Sequence, residues 1–358
     1  MADSDLLLLG GPDIIRLFQG QERSIVDAVR QAYRLKETGE CRIPNCEYLR
    51  FPGNSRDRII PKPAFLGGSF QAAGIKWIAS FPGNLAAGLE RASATLILNS
   101  VTTGFPEAIM ESSVISSYRT AASAALAAGV LHCGKPAATV GVIGCGAINF
   151  EVLRFLLSER PEVAHIAVFD SDPARTVQFR EKCTAYAGER RITAAADASE
   201  VLRMADIVSV ATNASIPHLS DLGGRGDDLT VLHISLRDFS PQAILAADNV
   251  VDDIDHVCSN DTSLDLASRS SGNRQFIRAT LGAILLGDLP PRAGNKAVVF
   301  SPFGLGILDI ALACLARRLA MERNLGTEVR DFFPPPWTER VYPGVPMPVS
   351  AEFTAIRG

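Results

Sequence analysis

The sequence lacks the features of a membrane-bound, secreted or nucleic-acid-binding protein. Its 358 residues carry a formal net charge of −4, so there is no electrostatic reason for it to bind nucleic acid or an anionic membrane. No apolar run approaches the roughly 20 residues of a membrane-spanning helix. The stretch MADSDLLLLGG has acidic residues where a secretory signal peptide needs basic ones. We therefore expect a cytoplasmic protein that binds neither membrane nor nucleic acid.

Cysteine pairs and metal-binding clusters are also missing from the sequence. The seven cysteines are scattered along the chain without a C-x-x-C pair. Histidine and cysteine show no cluster at the spacing of metal ligands, and we expect no metal site. Unclustered thiols in an odd number indicate a reducing compartment rather than a disulfide-bonded fold.

The length favours two domains, and the first part of the chain predicts a helix followed by a mixed or antiparallel sheet. The apolar spacing predicts one helix over residues 12–38. Short β-rich runs separated by glycine, proline and asparagine follow over residues 47–112. A helix rich in serine and alanine is predicted from Ser113 to Gly129, and residues 132–139 suit a linker.

From Thr139 the pattern alternates between strands and helices, which predicts a parallel sheet with helices on both faces. A further helix is expected over residues 307–320, and the proline-rich residues 331–348 predict an extended surface segment. The predicted strands are Thr139–Ile143, Ala164–Phe169, Arg191–Ala194, Ile207–Ala211 and Leu229–Leu236, and the predicted helices between them are Ala147–Ser158, Pro173–Ala187 and Ser199–Met204.

The stretch TVGVIGCGAIN is an incomplete dinucleotide-binding fingerprint. It follows a strand and opens a helix, and Gly144 and Gly146 permit the tight turn that brings backbone amides to a pyrophosphate. Asn149 replaces the third glycine, which predicts slightly wider helix–strand spacing without loss of phosphate binding. Asp170 ends the next strand and favours NAD over NADP by accepting hydrogen bonds from the ribose. Arg175 lies nearby and leaves NADP open. The alternative is a glycine turn that serves packing alone.

Polar residues follow three of the predicted strands, where ligands of doubly wound sheets bind. Asp238 is the best acid/base candidate among them, and a helix N-cap at this position is the alternative interpretation. His233 lies within the same strand and is expected to be a hydrogen-bonded core residue. The residues at these strand ends are Thr212, Asn213, Arg237, Asp238, Asp252 and Asp253.

Cations in the first part of the chain predict an anion-binding substrate site. Lys76 lies in the apolar stretch GIKWIASF, where it is either an edge residue that reaches solvent or a desolvated functional ammonium. Arg119 lies in a helix of small residues and suits a carboxylate or phosphate, or an internal ion pair. Arg50 and Arg58 are further candidates for binding carboxylates.

The motifs GIKWIASFPGN, SSYRTAASAALAA, GVIGCGAINFE and HISLRD, in this order, resemble the ornithine cyclodeaminase/μ-crystallin family. The resemblance implies an α/β domain over residues 1–132, completed by residues 305–358, that binds substrate and forms a homodimer. It also implies a Rossmann domain inserted over residues 133–304. By position, Lys76 matches the active-site lysine, Arg119 the carboxylate-binding arginine and Asp238 the catalytic aspartate, with Arg50 as a second substrate arginine. The cofactor contacts expected for NAD are Thr120, Gly144, Gly146, Ala147, Ile148, Asp170, Thr212, Asn213 and Ser235.

Several departures from the cyclodeaminases resemble a branch of the family that forms 2,3-diaminopropionate. Ile148 stands where cyclodeaminases have glutamine, and DFSPQAIL replaces their sequence after the aspartate. This resemblance implies NAD-dependent oxidative hydrolysis of N-((2S)-2-amino-2-carboxyethyl)-L-glutamate to 2-oxoglutarate and L-2,3-diaminopropionate, for siderophore or peptide-antibiotic biosynthesis. The alternatives are ornithine cyclodeamination, alanine dehydrogenation, ketimine reduction, or a nucleotide-binding protein of the crystallin type without enzymatic activity.

Overall fold

The computed structural model describes residues 5–132, 134–288 and 295–340. The first segment forms most of a mixed sheet covered by helices. Its strands are β1 (Leu6–Leu9), β2 (Cys41–Arg42), β3 (Leu49–Phe51), β4 (Asn54–Leu66), β5 (Ala72–Ser80), β6 (Ala92–Ser100) and β7 (Pro106–Glu111). Its helices are α1 (Gly11–Phe18), α2 (Glu22–Glu37) and α3 (Ser113–Leu131).

The second segment and the beginning of the third form an eight-stranded parallel sheet in the order β10-β9-β8-β11-β12-β15-β13-β14. Short apolar strands buried on both faces are typical of such a sheet. The strands are β8 (Thr139–Ile143), β9 (His165–Phe169), β10 (Arg191–Ala194), β11 (Ile207–Val210), β12 (Thr230–His233), β13 (Asp248–Val251), β14 (Ile277–Thr280) and β15 (Val298–Ser301). The helices are α4 (Ala147–Glu159), α5 (Pro173–Ala187), α6 (Ala198–Met204), α7 (Pro241–Ala246), α8 (Ile254–Val257), α9 (Ser263–Ser271) and α10 (Leu281–Leu286).

The chain then returns to the first sheet through α11 (Gly306–Arg323) and β16 (Thr327–Val329). The strand order of this sheet is β16-β1-β7-β6-β5-β4-β2, and β3 pairs with β4. A Rossmann-like sheet is thus inserted between two segments that build another α/β unit, as the family resemblance implied. Residues 341–348 of the predicted extended tail lie outside the described residues, as does Cys133 of the predicted linker.

Two predicted elements differ from the observed ones. The single helix expected over residues 12–38 is divided into α1 and α2, because Gly20 adopts a left-handed conformation with φ of 71° that ends a helix. The strand expected to reach Leu236 ends at His233, and Leu236 itself has a φ of 69°. The residues after β12 therefore form a loop that folds back beneath the end of the sheet.

Helix α3 lies between the two sheets and forms one wall of the candidate site described below. By length and composition alone it could span a membrane, but 67% of the relevant window is buried inside the protein. Its small residues allow close packing against α2, α4 and α11. On the facing sheet, β4 and β5 pair so that Lys62 lies directly opposite Lys76, and side chains directly opposite each other share one face of a sheet.

Candidate active site

A buried cluster of one acid and two cations lies between β5, α3 and α11. The Lys76 ammonium donates to Asp309 Oδ1 at 2.8 Å and to Ser116 Oγ at 2.9 Å. Arg119 Nε donates to the same Asp309 oxygen at 3.2 Å, and Arg119 Nη2 reaches Ser116 Oγ at 3.3 Å. Lys76 is 1% exposed, Asp309 0% and Arg119 9%. Lys76 is therefore a desolvated ammonium and not an edge residue that reaches solvent.

Burial and neighbouring opposite charges have opposite effects on the pKa values of Lys76 and Asp309. Burial lowers the pKa of Lys76 to about 7, because the desolvated ammonium is disfavoured and Asp309 restores only part of its stability. Burial alone would raise the pKa of Asp309, but the charges of Lys76 and Arg119 outweigh it and hold that pKa below its ordinary value. Asp309 thus remains an anion that keeps two buried cations in place.

Asp309 was missed in the sequence, although a signal was present. It is the acidic residue in the first turn of α11, whose other inward-facing side chains are apolar. Charged side chains are almost never fully buried without a partner, so a lone aspartate in ILDIALACLA indicates a buried cation elsewhere. The sequence does not show which cation, since Lys76 is 233 residues away.

A second lysine, Lys62, lies beside this cluster and was also missed. Its ammonium donates to the Gly304 carbonyl oxygen at 2.5 Å and lies 4.9 Å from the centre of the Phe303 ring. The amides of Phe303 and Gly304 each donate to Asp252 at 2.8 Å. Asp252, predicted only as a strand-end residue, therefore shapes the loop that Lys62 contacts.

A cavity of about 480 Å³ opens next to Lys62, between β4 and the loops that follow β13 and β15. Arg50, Lys62 and His256 line it, together with Phe303 and Gly304. The chain supplies both cationic and apolar surface here, which suits a small polar ligand.

Arginines extend the positive charge toward the parallel sheet. Arg50 lies opposite Arg58 on neighbouring strands, and both guanidinium groups lie within 6 Å of the Tyr48 ring, at 5.6 and 5.9 Å. Burial lowers the pKa of Arg58, and the charges of Arg237 and Arg50 lower it further. Arg91 donates to the Asn213 side chain and so joins the two sheets.

The glycine-rich loop fits a dinucleotide. Gly144 has a φ of 92°, and a Cβ at this position would lie 2.3 Å from the Ala211 carbonyl oxygen, so only glycine fits. Gly146 is the N-cap of α4 and provides no side-chain cap, which leaves the first amides of the helix for an anion. Ala147 is exposed and Ile148 is half-buried at this helix end. The Cys145 amide donates to Asp170 at 2.7 Å, so the carboxylate lies beside the loop.

The Asn149 side chain, which replaces the third glycine, holds the glycine-rich loop against the parallel sheet through hydrogen bonds. Its buried amide nitrogen donates to the carbonyl oxygens of Ile143 at 2.8 Å and Gly144 at 2.7 Å. Its side-chain oxygen accepts a hydrogen bond from Ser209 at 2.6 Å. The residue in place of the third glycine therefore fixes the conformation of the phosphate-binding turn.

Asp238 is fully buried behind two hydroxyl groups. Its carboxylate accepts hydrogen bonds from Thr212 and from Ser235 at 2.5 Å, and it is in hydrogen-bonding contact with His233 Nε2 at 3.2 Å. Burial opposes ionisation, but these hydrogen bonds, led by that of His233, lower the pKa of Asp238 to about 2. Helix α7 is capped by Ser240 instead, so Asp238 is not the N-cap that was the alternative interpretation.

The remaining predicted residues occupy defined positions around these groups. His233 is buried, and its Nδ1 contacts Ser301 at 3.1 Å, as expected for a hydrogen-bonded core histidine. Thr120 follows Arg119 on α3 and donates to the Ser116 carbonyl at 2.7 Å. Among residues 5–132, 134–288 and 295–340, no group of three or more histidine, cysteine, aspartate or glutamate side chains could hold a metal ion.

The sequence of this chain matches those of known proteins over most of its length. The sequence model of the ornithine cyclodeaminase/mu-crystallin family matches residues 19–324. N-((2S)-2-amino-2-carboxyethyl)-L-glutamate dehydrogenase of Staphylococcus aureus (strain NCTC 8325 / PS 47) is 30% identical over 332 residues, which cover 90% of this chain and 98% of that protein. Alanine dehydrogenase of Archaeoglobus fulgidus is 28% identical over 323 residues, covering 86% of this chain and 93% of the relative.

Solved structures give the same result for the fold. An archaeal alanine dehydrogenase dimer with bound NAD superposes with a TM-score of 0.82 at 25% identity, covering 92% of this chain and 100% of the other. Δ(1)-pyrroline-2-carboxylate reductase of Thermococcus litoralis, in complex with NADH and L-proline, has a TM-score of 0.84 at 25% identity, covering 90% and 100%. The family indicated by the motifs is therefore confirmed: the chain belongs to the ornithine cyclodeaminase/mu-crystallin family.

Proposed function

We propose that the protein is an NAD-dependent oxidoreductase that acts on the CH–NH bond of an amino acid, and that its substrate is N-((2S)-2-amino-2-carboxyethyl)-L-glutamate. The family, the glycine-rich loop and the relatives that bind NAD or NADH support the cofactor and the class of reaction. The finer choice of substrate is supported by the Staphylococcus aureus relative and by the charges of the site. The products would serve siderophore or peptide-antibiotic biosynthesis in the cytoplasm.

The observation that carries the substrate proposal is the group of cations in and beside the cavity. Arg50 and Lys62 line it, and Lys76 and Arg119 lie directly behind Lys62 and Gly304. A substrate with three carboxylates can pair with several of these cations at once, whereas ornithine brings a single carboxylate. Glu47 and Asp255 also line the cavity and suit the ammonium of the 2-amino-2-carboxyethyl arm.

In the proposed mechanism, the chain holds the substrate and moves its protons. Lys76 and Arg119 bind the α-carboxylate of the glutamate moiety, and Arg50 and Arg58 bind a further carboxylate. By holding these carboxylates, the residues fix the orientation of the substrate, which accounts for most of the rate gain expected from binding. The loop of Gly144 and Gly146 would hold NAD, which would supply the acceptor for the hydride of the glutamate α-carbon. The substrate amine loses its proton as the carbon–nitrogen bond becomes an imine. Water then adds, and the carbinolamine collapses to 2-oxoglutarate and L-2,3-diaminopropionate.

Asp238 is proposed as the residue that accepts a proton during this sequence. Because its carboxylate lies behind Thr212 and Ser235, we assign the transfer to one of these hydroxyls, with Asp238 as the final acceptor. The proposed cofactor contacts are Thr120, Gly144, Gly146, Ala147, Ile148, Asp170, Thr212, Asn213 and Ser235.

A substrate panel tests the proposal. The purified protein would be supplied with NAD and, in separate reactions, with the proposed substrate, ornithine, alanine and proline, while NADH absorbance and ammonia release are followed. We expect NADH only with the proposed substrate, and 2-oxoglutarate in equal amount. NADH formation with alanine or proline instead would assign the protein to another branch of the family. Cofactor binding without turnover on any compound would support a non-enzymatic, crystallin-type role.

We also propose that residues 1–132 and 305–358 form the substrate-binding and dimerisation domain, and residues 133–304 the nucleotide-binding domain. Ile75 and Trp77 share the outer face of the first sheet, and Trp77 is 44% exposed there. A relative of the same fold is a dimer. Sedimentation analysis should give a homodimer that Trp77→Glu dissociates. A monomeric wild-type protein would reject this assembly.

A further inference from the structure

Lys62 and Lys76 form an unusual pair of buried or half-buried ammonium groups. They lie directly opposite each other on β4 and β5, where the Cβ atoms of paired residues are about 4.5–5.5 Å apart. Like charges in this position are destabilising. A pair of this kind is therefore expected to have a ligand or a function that offsets its electrostatic cost.

The two lysines differ in their partners. Lys76 forms an ion pair with Asp309, which it shares with Arg119. Lys62 donates to a neutral group, the Gly304 carbonyl oxygen. In the part of the chain that the structure describes, no carboxylate forms an ion pair with Lys62. Since an ammonium has three donors, Lys62 retains hydrogen-bonding capacity toward the cavity that it lines.

The charges around Lys62 leave a positive excess. Three cations, Lys62, Lys76 and Arg119, face two acids, Asp309 and Asp252. Burial raises the pKa of Asp252, so this acid is a weakened counter-charge. Burial, followed by the charge of Arg119, lowers the pKa of Lys62 to about 8. A carboxylate bound beside Lys62 would reverse this effect and stabilise its charged form.

We infer that Lys62 is a specificity-determining residue that binds a second carboxylate of the substrate, so that the site selects amino acids with an acidic side arm. The inference deepens the proposed function and rests on it for the identity of the substrate. Arg119 lies against Gly304: a Cβ on this glycine would be 2.5 Å from Arg119 Nη1. Lys76 and Arg119, which are proposed to bind the α-carboxylate, therefore lie next to Lys62, which is proposed to bind the second carboxylate.

Glutarate and butyrate provide a test that requires no turnover. Glutarate carries two carboxylates joined by three carbons, as glutamate does, and butyrate carries one. Calorimetric titration of the NAD-saturated protein should show that the wild type binds glutarate roughly tenfold to a hundredfold more tightly than butyrate, as expected for a charge-assisted hydrogen bond. Lys62→Met should abolish this preference, and Lys62→Arg should retain most of it.

Two controls separate the subsite from general damage. NAD affinity and thermal unfolding of Lys62→Met report whether the variant is folded. Lys182→Met removes an exposed ammonium that lies over the Phe150 ring, and it should leave the preference for glutarate unchanged. If the wild type binds the two compounds equally, or if folded Lys62→Met keeps the preference, the inference is wrong. A Lys62-dependent preference without NADH formation from the proposed substrate would reject that substrate and leave the subsite in place.

Discussion

Removal of the Asp309 charge is the most informative perturbation of the buried cluster. Asparagine has nearly the same shape as aspartate, so Asp309→Asn leaves Lys76 and Arg119 in a buried site without their shared anion. Their present distances to Asp309 Oδ1 are 2.8 and 3.2 Å. Loss of one partner from a buried ion pair costs about 3–5 kcal/mol, and we expect a loss of this size in the free energy of unfolding at neutral pH.

The loss of stability in Asp309→Asn relative to the wild type should become smaller as the pH rises toward about 7 and should stay constant above it. In the variant, Lys76 can escape the cost by releasing its proton in the folded state, since its pKa is already lowered to about 7 in the wild type. The unfolded chain still binds that proton up to its ordinary pKa near 10.4. The variant loses this proton at a lower pH than the wild type, so its stability rises faster with pH than that of the wild type up to about pH 7, where the wild type releases the same proton.

Urea denaturation followed by circular dichroism measures this effect in Asp309→Asn, Lys76→Met and the double variant. The double variant should be less destabilised than the sum of the single variants, because Lys76→Met removes one of the stranded charges. A loss below about 1 kcal/mol for Asp309→Asn, as seen for exposed ion pairs, would refute the reasoning. Strict additivity in the double variant would also refute it.

Three further predictions concern the cofactor, the proton acceptor and substrate binding. Gly144→Ala should abolish NAD binding in calorimetry, because its Cβ would meet the Ala211 carbonyl oxygen at 2.3 Å; normal affinity would contradict the fit. Asp238→Asn should lower turnover by about a hundredfold or more with NAD affinity unchanged, and normal turnover would remove Asp238 from the mechanism. The KM for substrate should rise above about pH 7 as the Lys76 ammonium loses its proton, and a KM that is constant from about pH 6 to about pH 9 would show that Lys76 does not bind the carboxylate.

The parallel sheet could be predicted from sequence because its signals are local. Alternating apolar strands and helices, with the turn at Gly144, depend on neighbouring residues only. The division of the first helix at Gly20 was missed because an isolated glycine is tolerated within helical patterns. Asn149 was interpreted by analogy with glycine packing, whereas its hydrogen bonds to Ile143 and Gly144 become visible only in three dimensions.

The site could be predicted only in part, for a physical reason. Lys76 and Arg119 were identified by their residue types and apolar surroundings, but their shared partner Asp309 depends on how α11 returns to the first sheet. Lys62 acquires its position opposite Lys76 through strand register, which the sequence pattern did not determine. The surroundings of Asp238 likewise depend on the early end of β12 at His233.

The ratio of products to NADH tests the central claim most directly. Oxidative hydrolysis consumes NAD, whereas cyclodeamination of ornithine releases ammonia without a net redox change. With the proposed substrate and excess NAD, we predict equal amounts of NADH, 2-oxoglutarate and L-2,3-diaminopropionate. Ammonia release without accumulation of NADH, or NADH without 2-oxoglutarate, would contradict the account.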